Sequence, residues 1–187
     1  DSVAARAAAE IIKRTGIEKG YCFDVGCGDG ALAYELATRT QLRIIAIEAD
    51  AELVALARQK LTAAGVYGSR VTVLQRSLDQ TNTPNKVANL VVSGRSLSED
   101  PATLSQQELK RLQRPYGGVI CLGKPGALTI EKRGAIAGAG EWTHQYADAA
   151  NTLCSNDKLV NGQLSMLWYR DFDFVIPSRH GRGPAPL

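Results

Sequence analysis

The chain reads as an α/β protein: a doubly wound, mostly parallel sheet in a three-layer αβα sandwich, with a C-terminal extension. Three observations lead there. Short, nearly unbroken apolar runs such as Ile44 to Ile47 and Val87 to Val92 alternate with stretches of helical periodicity. That is the pattern of strands buried on both faces and joined by right-handed crossovers. A glycine-rich turn, Gly26-Cys27-Gly28-Asp29-Gly30, leads from the first apolar run straight into a helical pattern. Finally, 187 residues that are 44% apolar and 22% charged suit one main core, but hardly two full domains.

The elements follow in order. Val3, Ala7, Ala8, Ile11 and Ile12 share a helical face over residues 3–14, and Thr15-Gly16 stops that helix. A strand is expected from Tyr21 to Val25, then the glycine turn, a helix from Ala31 to Thr38 and a strand from Leu42 to Glu48. Asp50 is placed to cap a helix running from Ala51 to Ala64. Strands at 71–74 and 87–92 flank the turn-rich stretch 79–86. A helix over 103–114 hands over through Pro115-Tyr116-Gly117-Gly118 to a strand at 119–123. Beyond Lys124 the chain becomes rich in Gly and Ala, and both tryptophans come after Glu141. The reading therefore divides the chain into a domain of residues 1–140 and an extension of residues 141–187, too short to form a core alone. Within the extension, Gln163 to Tyr169 reads as a strand.

The glycine loop is where chemistry is expected. Glycines at alternate positions allow positive φ and let a ligand approach bare backbone at a helix N-terminus. Glu48 closes the second strand, 22 residues beyond Gly26, where a carboxylate can accept both hydroxyls of an adenosine ribose. Gly26-x-Gly28-x-x-Ala31 also satisfies the looser fingerprint of nicotinamide dinucleotide sites, so that alternative stays open at this point. Cys22, Cys27, Cys121 and Cys154 form no CxxC pair, so buried thiols are expected and no metal site. Cys27 reads as a small filler of the turn rather than a nucleophile.

Asp24-x-Gly26-x-Gly28-x-Gly30, Glu48, and Arg114-Pro115-Tyr116-Gly117-Gly118 ahead of a strand together resemble class I S-adenosylmethionine-dependent methyltransferases, over about residues 4–124. The resemblance implies a Rossmann-like methyltransferase fold and S-adenosylmethionine as cofactor. Asp24, Gly26, Cys27, Gly28, Asp29 and Gly30 would hold its methionine part and Glu48 its ribose. The Asp commonly found after the third strand of that family falls at Ser77, so Ser77, Leu78 or Asp79 would face adenine. An acid at position 24 suits a cationic ammonium better than a pyrophosphate, which favours this cofactor over a nicotinamide. Ser93-Gly94-Arg95-Ser96 stands where methyltransferases of bases and glutamine carry Asn/Asp-Pro-Pro-aromatic, so base methylation is disfavoured. Ser93, Arg95, Ser96, Glu99 and Asp100 follow the fourth strand on the ligand side, where ordinary loop polarity is the simpler reading. Glu99 and Asp100 are the candidate bases, should the methyl acceptor need deprotonation.

Trp142-Thr143-His144-Gln145-Tyr146-Ala147-Asp148-Ala149-Ala150-Asn151-Thr152, with Leu167-Trp168-Tyr169, resembles the opening of pyrroloquinoline-quinone-type β-propellers. Large bacterial proteins of that quinoprotein-like class can carry a methyltransferase-like domain just ahead of the propeller. The alternative function is thus a non-catalytic binding or structural module attached to a propeller of the same full-length chain. A net charge of +3 with dispersed Lys and Arg gives no case for nucleic acid, and no apolar tract is long enough to span a membrane. The chain starts at Asp1 and its single methionine is Met166, so a piece of a longer protein is expected, with any targeting segment outside it. An active methyltransferase would be cytoplasmic, whereas an exported full-length chain would place the domain in the cell envelope or periplasm.

Overall fold

The computed structural model describes residues 2–160 and divides the chain into two compact units, Asp1–Gly134 and Ala135–Leu187. The first unit runs α1 (Val3–Thr15), β1 (Lys19–Val25), α2 (Ala31–Arg39), β2 (Gln41–Glu48), α3 (Ala51–Ala63), β3 (Val71–Gln75), β4 (Leu90–Val92), α4 (Gln106–Leu112), β5 (Val119–Leu122) and β6 (Thr129–Lys132). The strands form one six-stranded sheet in the order β3-β2-β1-β4-β5-β6. Neighbours are parallel except for β5 and β6, which pair antiparallel. This is the doubly wound, mostly parallel sheet that the sequence predicts.

Strand parity divides the core. On β1, Cys22 faces a cluster with Ala8 and Ile11 of α1, Leu32 and Leu36 of α2, and Val54 and Leu61 of α3. Phe23 and Val25 face the other way, into a cluster with Leu109 and Leu112 of α4 and with Ile47, Val91 and Ile120. Asp24 on β1 and Glu48 on β2 share the parity of Cys22 and Ile44, so both lie on the α1/α2/α3 side of the sheet. Each fully buried Leu, Ile or Phe contributes roughly 2 kcal/mol, so both layers are needed to hold the sheet.

Three elements start two or three residues away from where the sequence places them. The apolar run at 87–92 yields strand only from Leu90, because the side chain of Asn89 accepts the Tyr21 N–H at 3.0 Å. The helix expected over 103–114 begins at Gln106, where Ser105 caps it by accepting the Glu108 N–H at 3.3 Å. Before it, Pro101–Thr103 forms a separate 3₁₀ turn capped by Asp100. Tyr21 extends backwards to Lys19 because Lys19 and Gly20 find partners in Gln41 and Leu42.

The second unit is held by two aspartates. Asp148 accepts from the Ala150 and Thr152 N–H groups and from the Thr152 hydroxyl at 2.7 Å, closing the turn over residues 148–152. Asp157 accepts the N–H groups of Gly140, Leu159 and Val160. The expected strand Gln163 to Tyr169 lies outside the described residues. Among the described residues, no helix is long and apolar enough to cross a membrane.

Candidate active site

The direction of winding reverses between β1 and β4, which are neighbours in the sheet, and a ligand site is expected beyond their carboxyl ends. The glycine loop leaves β1 there. Gly26, Gly28 and Gly30 have φ of 78°, 56° and 81°, all in the left-handed region that costs other L-residues strain. The Gly26 and Cys27 amides donate to the Ile47 carbonyl at 2.8 and 3.1 Å, tying the loop to the end of β2. A Cβ on Gly28 would meet nothing within 4 Å, so bare backbone faces open space.

That space is a cavity of about 490 Å³ lined by residues that include Cys27, Gly28, Asp29, Glu48, Arg95 and Glu99. Small-molecule sites are roughly 300–1,000 Å³, so its volume suits a nucleoside-sized ligand. Glu48 is fully buried and ends β2 beside the loop. Its Oε2 accepts the Gly28 N–H at 3.0 Å, and its Oε1 accepts the Ala49 N–H at 2.8 Å and the Asp50 N–H at 3.3 Å. Arg95 Nη2 adds a charged bond to the same Oε1 at 3.1 Å.

Asp24 takes a different position from its neighbours in the motif. It is fully buried, its Oδ1 accepts the Gly94 N–H at 2.7 Å, and its Oδ2 has no hydrogen-bond partner among the described residues. Burial pushes its carboxyl up to about 7; the Gly94 amide opposes the rise and the nearby Glu48 charge adds to it. Partial burial pulls Asp29 upward, but hydrogen bonds from Lys60 at 2.6 Å and from the Ala31 N–H outweigh it and leave the carboxyl below its usual value. Burial raises the Cys27 thiol far above its ordinary range, with the Asp24 and Glu48 charges adding to the rise, so the thiol stays protonated.

Six of the residues singled out from sequence, Cys27, Gly28, Asp29, Glu48, Arg95 and Glu99, line this cavity together. Gly26 lies beneath it against Arg95, and Gly30 packs on Leu61 and Ala57. Ser77 is exposed, its hydroxyl accepting the Asp79 N–H at 3.3 Å, and Leu78 reaches towards Gly26. Neither belongs to the cavity lining, and Asp100 is engaged in capping through the Ala102 N–H at 2.9 Å. Sequence reasoning did not assign Leu53, Leu97, Ser98 or the start of α1 at Ser2 to Ala4, all of which line the cavity. The available signal was Ser2, an N-cap whose side chain accepts the Ala5 N–H, which fixes where α1 begins.

Residues 23–117, just over half of the chain, match the family described as "Methyltransferase domain". The chain belongs to the methyltransferase-domain family. Among solved structures, this methyltransferase domain is similar to a candidate S-adenosyl-L-methionine-dependent methyltransferase from Methanococcus maripaludis. That pair shares 28% identity and a TM-score of 0.58, over 65% of this chain and 55% of the other. A SAM-dependent methyltransferase from Aquifex aeolicus matches at 22% identity and a TM-score of 0.52, over 65% of this chain and 66% of that one. The [4+2]-cyclase SpnF matches at 23% identity and a TM-score of 0.55, over 63% of this chain and 43% of that one. The last two are likenesses of fold alone. The matched region spans about half the length of the first of these structures, and no curated protein matches the chain.

S-adenosylmethionine is the cofactor of a methyltransferase domain of this kind, and a buried carboxylate beside bare loop backbone fits the chemistry of its ribose. The buried Glu48 carboxylate and the uncovered Gly28 backbone face the same space. Leu53 and Leu97 add apolar wall.

Proposed function

We propose that this domain binds S-adenosylmethionine in the cavity over the glycine loop and transfers its methyl group to a small acceptor entering past Ser98 and Glu99. The observation that carries the reading is a fully buried carboxylate, Glu48, lining a cavity beside the bare backbone of Gly28. When bound, the cofactor supplies a sulfonium methyl group open to in-line attack. Glu48 orients the ribose by accepting its hydroxyls, and the uncovered backbone of Gly28 lets the ligand approach closely. The chain's main contribution is positioning and exclusion of water, so no strong acid–base pair is required. Of the two candidate bases, Glu99 is the one on the cavity wall, whereas Asp100 is turned to capping the Ala102 N–H.

Isothermal titration with S-adenosylhomocysteine tests the reading, and saturable one-to-one binding is expected. No heat from the cooperatively folded chain, either as wild type or as Arg95→Ala, overturns it.

A second reading has its own support: Arg95 reaches across from the loop after β4 and already occupies Glu48. A non-catalytic methyltransferase-like module, attached to a propeller of the same full-length chain, would keep that pair closed permanently. The cyclase neighbour illustrates that this fold hosts chemistry other than methyl transfer.

A further inference from the structure

The cavity contains one ion pair that the bound state of the proposed cofactor cannot share. Glu48 Oε1 already receives three donors: the Ala49 and Asp50 amides and Arg95 Nη2. The two amides belong to the backbone turn that follows β2 and cannot leave. The guanidinium can. Arg95 is anchored only at its main chain, where its N–H donates to the Gly26 carbonyl at 2.8 Å and its Cβ lies 3.2 Å from where a Gly26 Cβ would stand. From that anchor the side chain crosses the glycine loop to Glu48, and it remains about one-third exposed while Glu48 is fully buried. A second acceptor stands ready one helical turn on: Glu99 Oε2 is 3.9 Å from Arg95 Nε and is itself exposed on the cavity wall.

Resting on the adenosylmethionine reading, we propose that Arg95 is the affinity- and specificity-setting residue of this site. It is a side-chain latch that closes Glu48 in the empty domain and must transfer to Glu99 before a vicinal diol can bind. The chemistry favours such an exchange. A ribose offers two neutral O–H donors to the two oxygens of Glu48, whereas Arg95 holds one oxygen through one N–H. Neutral diols too weak to displace a charged donor are rejected, and a ligand that adds contacts to the glycine loop gains entry. On Glu99 the guanidinium keeps a charged partner, so opening does not strand a cation.

The latch has a measurable arithmetic. With Arg95 on Glu48 in about nine molecules of ten, the apparent dissociation constant for a diol ligand stands about tenfold above its intrinsic value. Titration of the intact chain with S-adenosylhomocysteine reads this directly. Arg95→Ala is expected to bind about tenfold tighter than wild type, since nothing then competes for Glu48. Glu99→Gln is expected to bind several-fold weaker, because the open position loses its charged acceptor. The double variant Arg95→Ala/Glu99→Gln is expected to match Arg95→Ala alone, because Glu99 acts here only through Arg95. Arg95→Gln, which leaves a neutral donor at Glu48, covers the case in which Arg95→Ala fails to fold, and it too is expected to tighten binding.

Folded Arg95 variants that bind no tighter than a binding-competent wild type overturn the latch and leave the cofactor reading standing. A Glu99→Gln effect that persists unchanged in the double variant also overturns it. Wild type and Arg95 variants that all fold and none of which binds overturn the cofactor reading, and the latch with it. Binding seen only when Arg95 is removed supports the latch in its strongest form.

Discussion

The Gly94 amide donates to the Asp24 carboxylate at 2.7 Å across 70 positions of sequence. That bond joins the loop after β4 to the carboxyl end of β1, and the Arg95 N–H repeats the join one residue on, at the Gly26 carbonyl. A Cβ on Gly94 would lie 2.9 Å from the Cys27 carbonyl oxygen, so the two loops touch backbone to backbone. Gly94 has φ of −58°, ordinary for any residue, and is required here for closeness alone. Gly94→Ala is therefore expected to cost about 1–3 kcal/mol, the range for forcing an extra methyl group into a packed region. Gly134→Ala, where a Cβ would meet nothing within 4 Å, serves as the comparison and should shift stability by less than about 0.5 kcal/mol. Urea unfolding of both variants checks the contrast.

Asp24 gives stability a pH dependence of unusual sign for an aspartate. Its buried carboxyl titrates at about 7, whereas in an unfolded chain it releases its proton near 4. Between those values only the folded state keeps the proton, so this group's contribution is full below about pH 4 and is lost as pH rises through about 7. Asp24→Asn retains an acceptor for Gly94 and abolishes the titration. Melting curves from pH 4 to 8 should fall for wild type relative to this variant, and parallel curves would refute the assignment.

Glu108 acts in the opposite direction. Its hydrogen bonds with Arg111, at 2.7 Å, hold its carboxyl down to about 2, with further help from the Thr81 hydroxyl and N–H. The stabilisation it provides is present above the unfolded value near 4.3 and disappears as pH falls towards 2. Glu108→Gln is expected to flatten the acid limb of stability below pH 4.5, measured by thermal melts.

Removing Glu48 should affect the fold before it affects any ligand. Glu48→Ala leaves the Gly28 and Ala49 amides and the Arg95 guanidinium without their shared acceptor. Leaving buried amide donors without an acceptor costs about 1–3 kcal/mol, so a clear drop in the urea midpoint is expected, while the partly exposed Arg95 turns to Glu99 or water. An unchanged midpoint would mean that water replaces the carboxylate at no cost.

Thiol reactivity separates the cysteines. Cys22, Cys27 and Cys121 are buried and Cys154 is exposed. Burial raises Cys22, and lifts Cys121 to about 11. A colourimetric thiol reagent at pH 8 is expected to modify one cysteine per folded chain and four after denaturation. Rapid labelling of Cys27 in the native state would show that the glycine loop opens.

The sequence by itself determined the sheet and the glycine turn over which the cavity opens. Short apolar runs at 44–47 and 119–122, bounded by polar or glycine residues, favour strands buried on both faces, and alternate glycines after Val25 favour a turn with positive φ. Those signals are local, carried within one turn or one strand. With β1 and β2 parallel in register, Val25 opposite Ile47, Glu48 necessarily ends beside Gly26. Tertiary structure alone decided what the charged side chains do there. Asp24 is one acid of the glycine motif in sequence, and the fold buries it and sets its Oδ1 on the Gly94 amide because β4 inserts next to β1. Arg95 looks like loop polarity, yet it meets Glu48 across 47 positions. No local pattern encodes a contact whose partners are brought together by strand order, and a lone arginine carries the same local signal whether it faces water or a buried carboxylate.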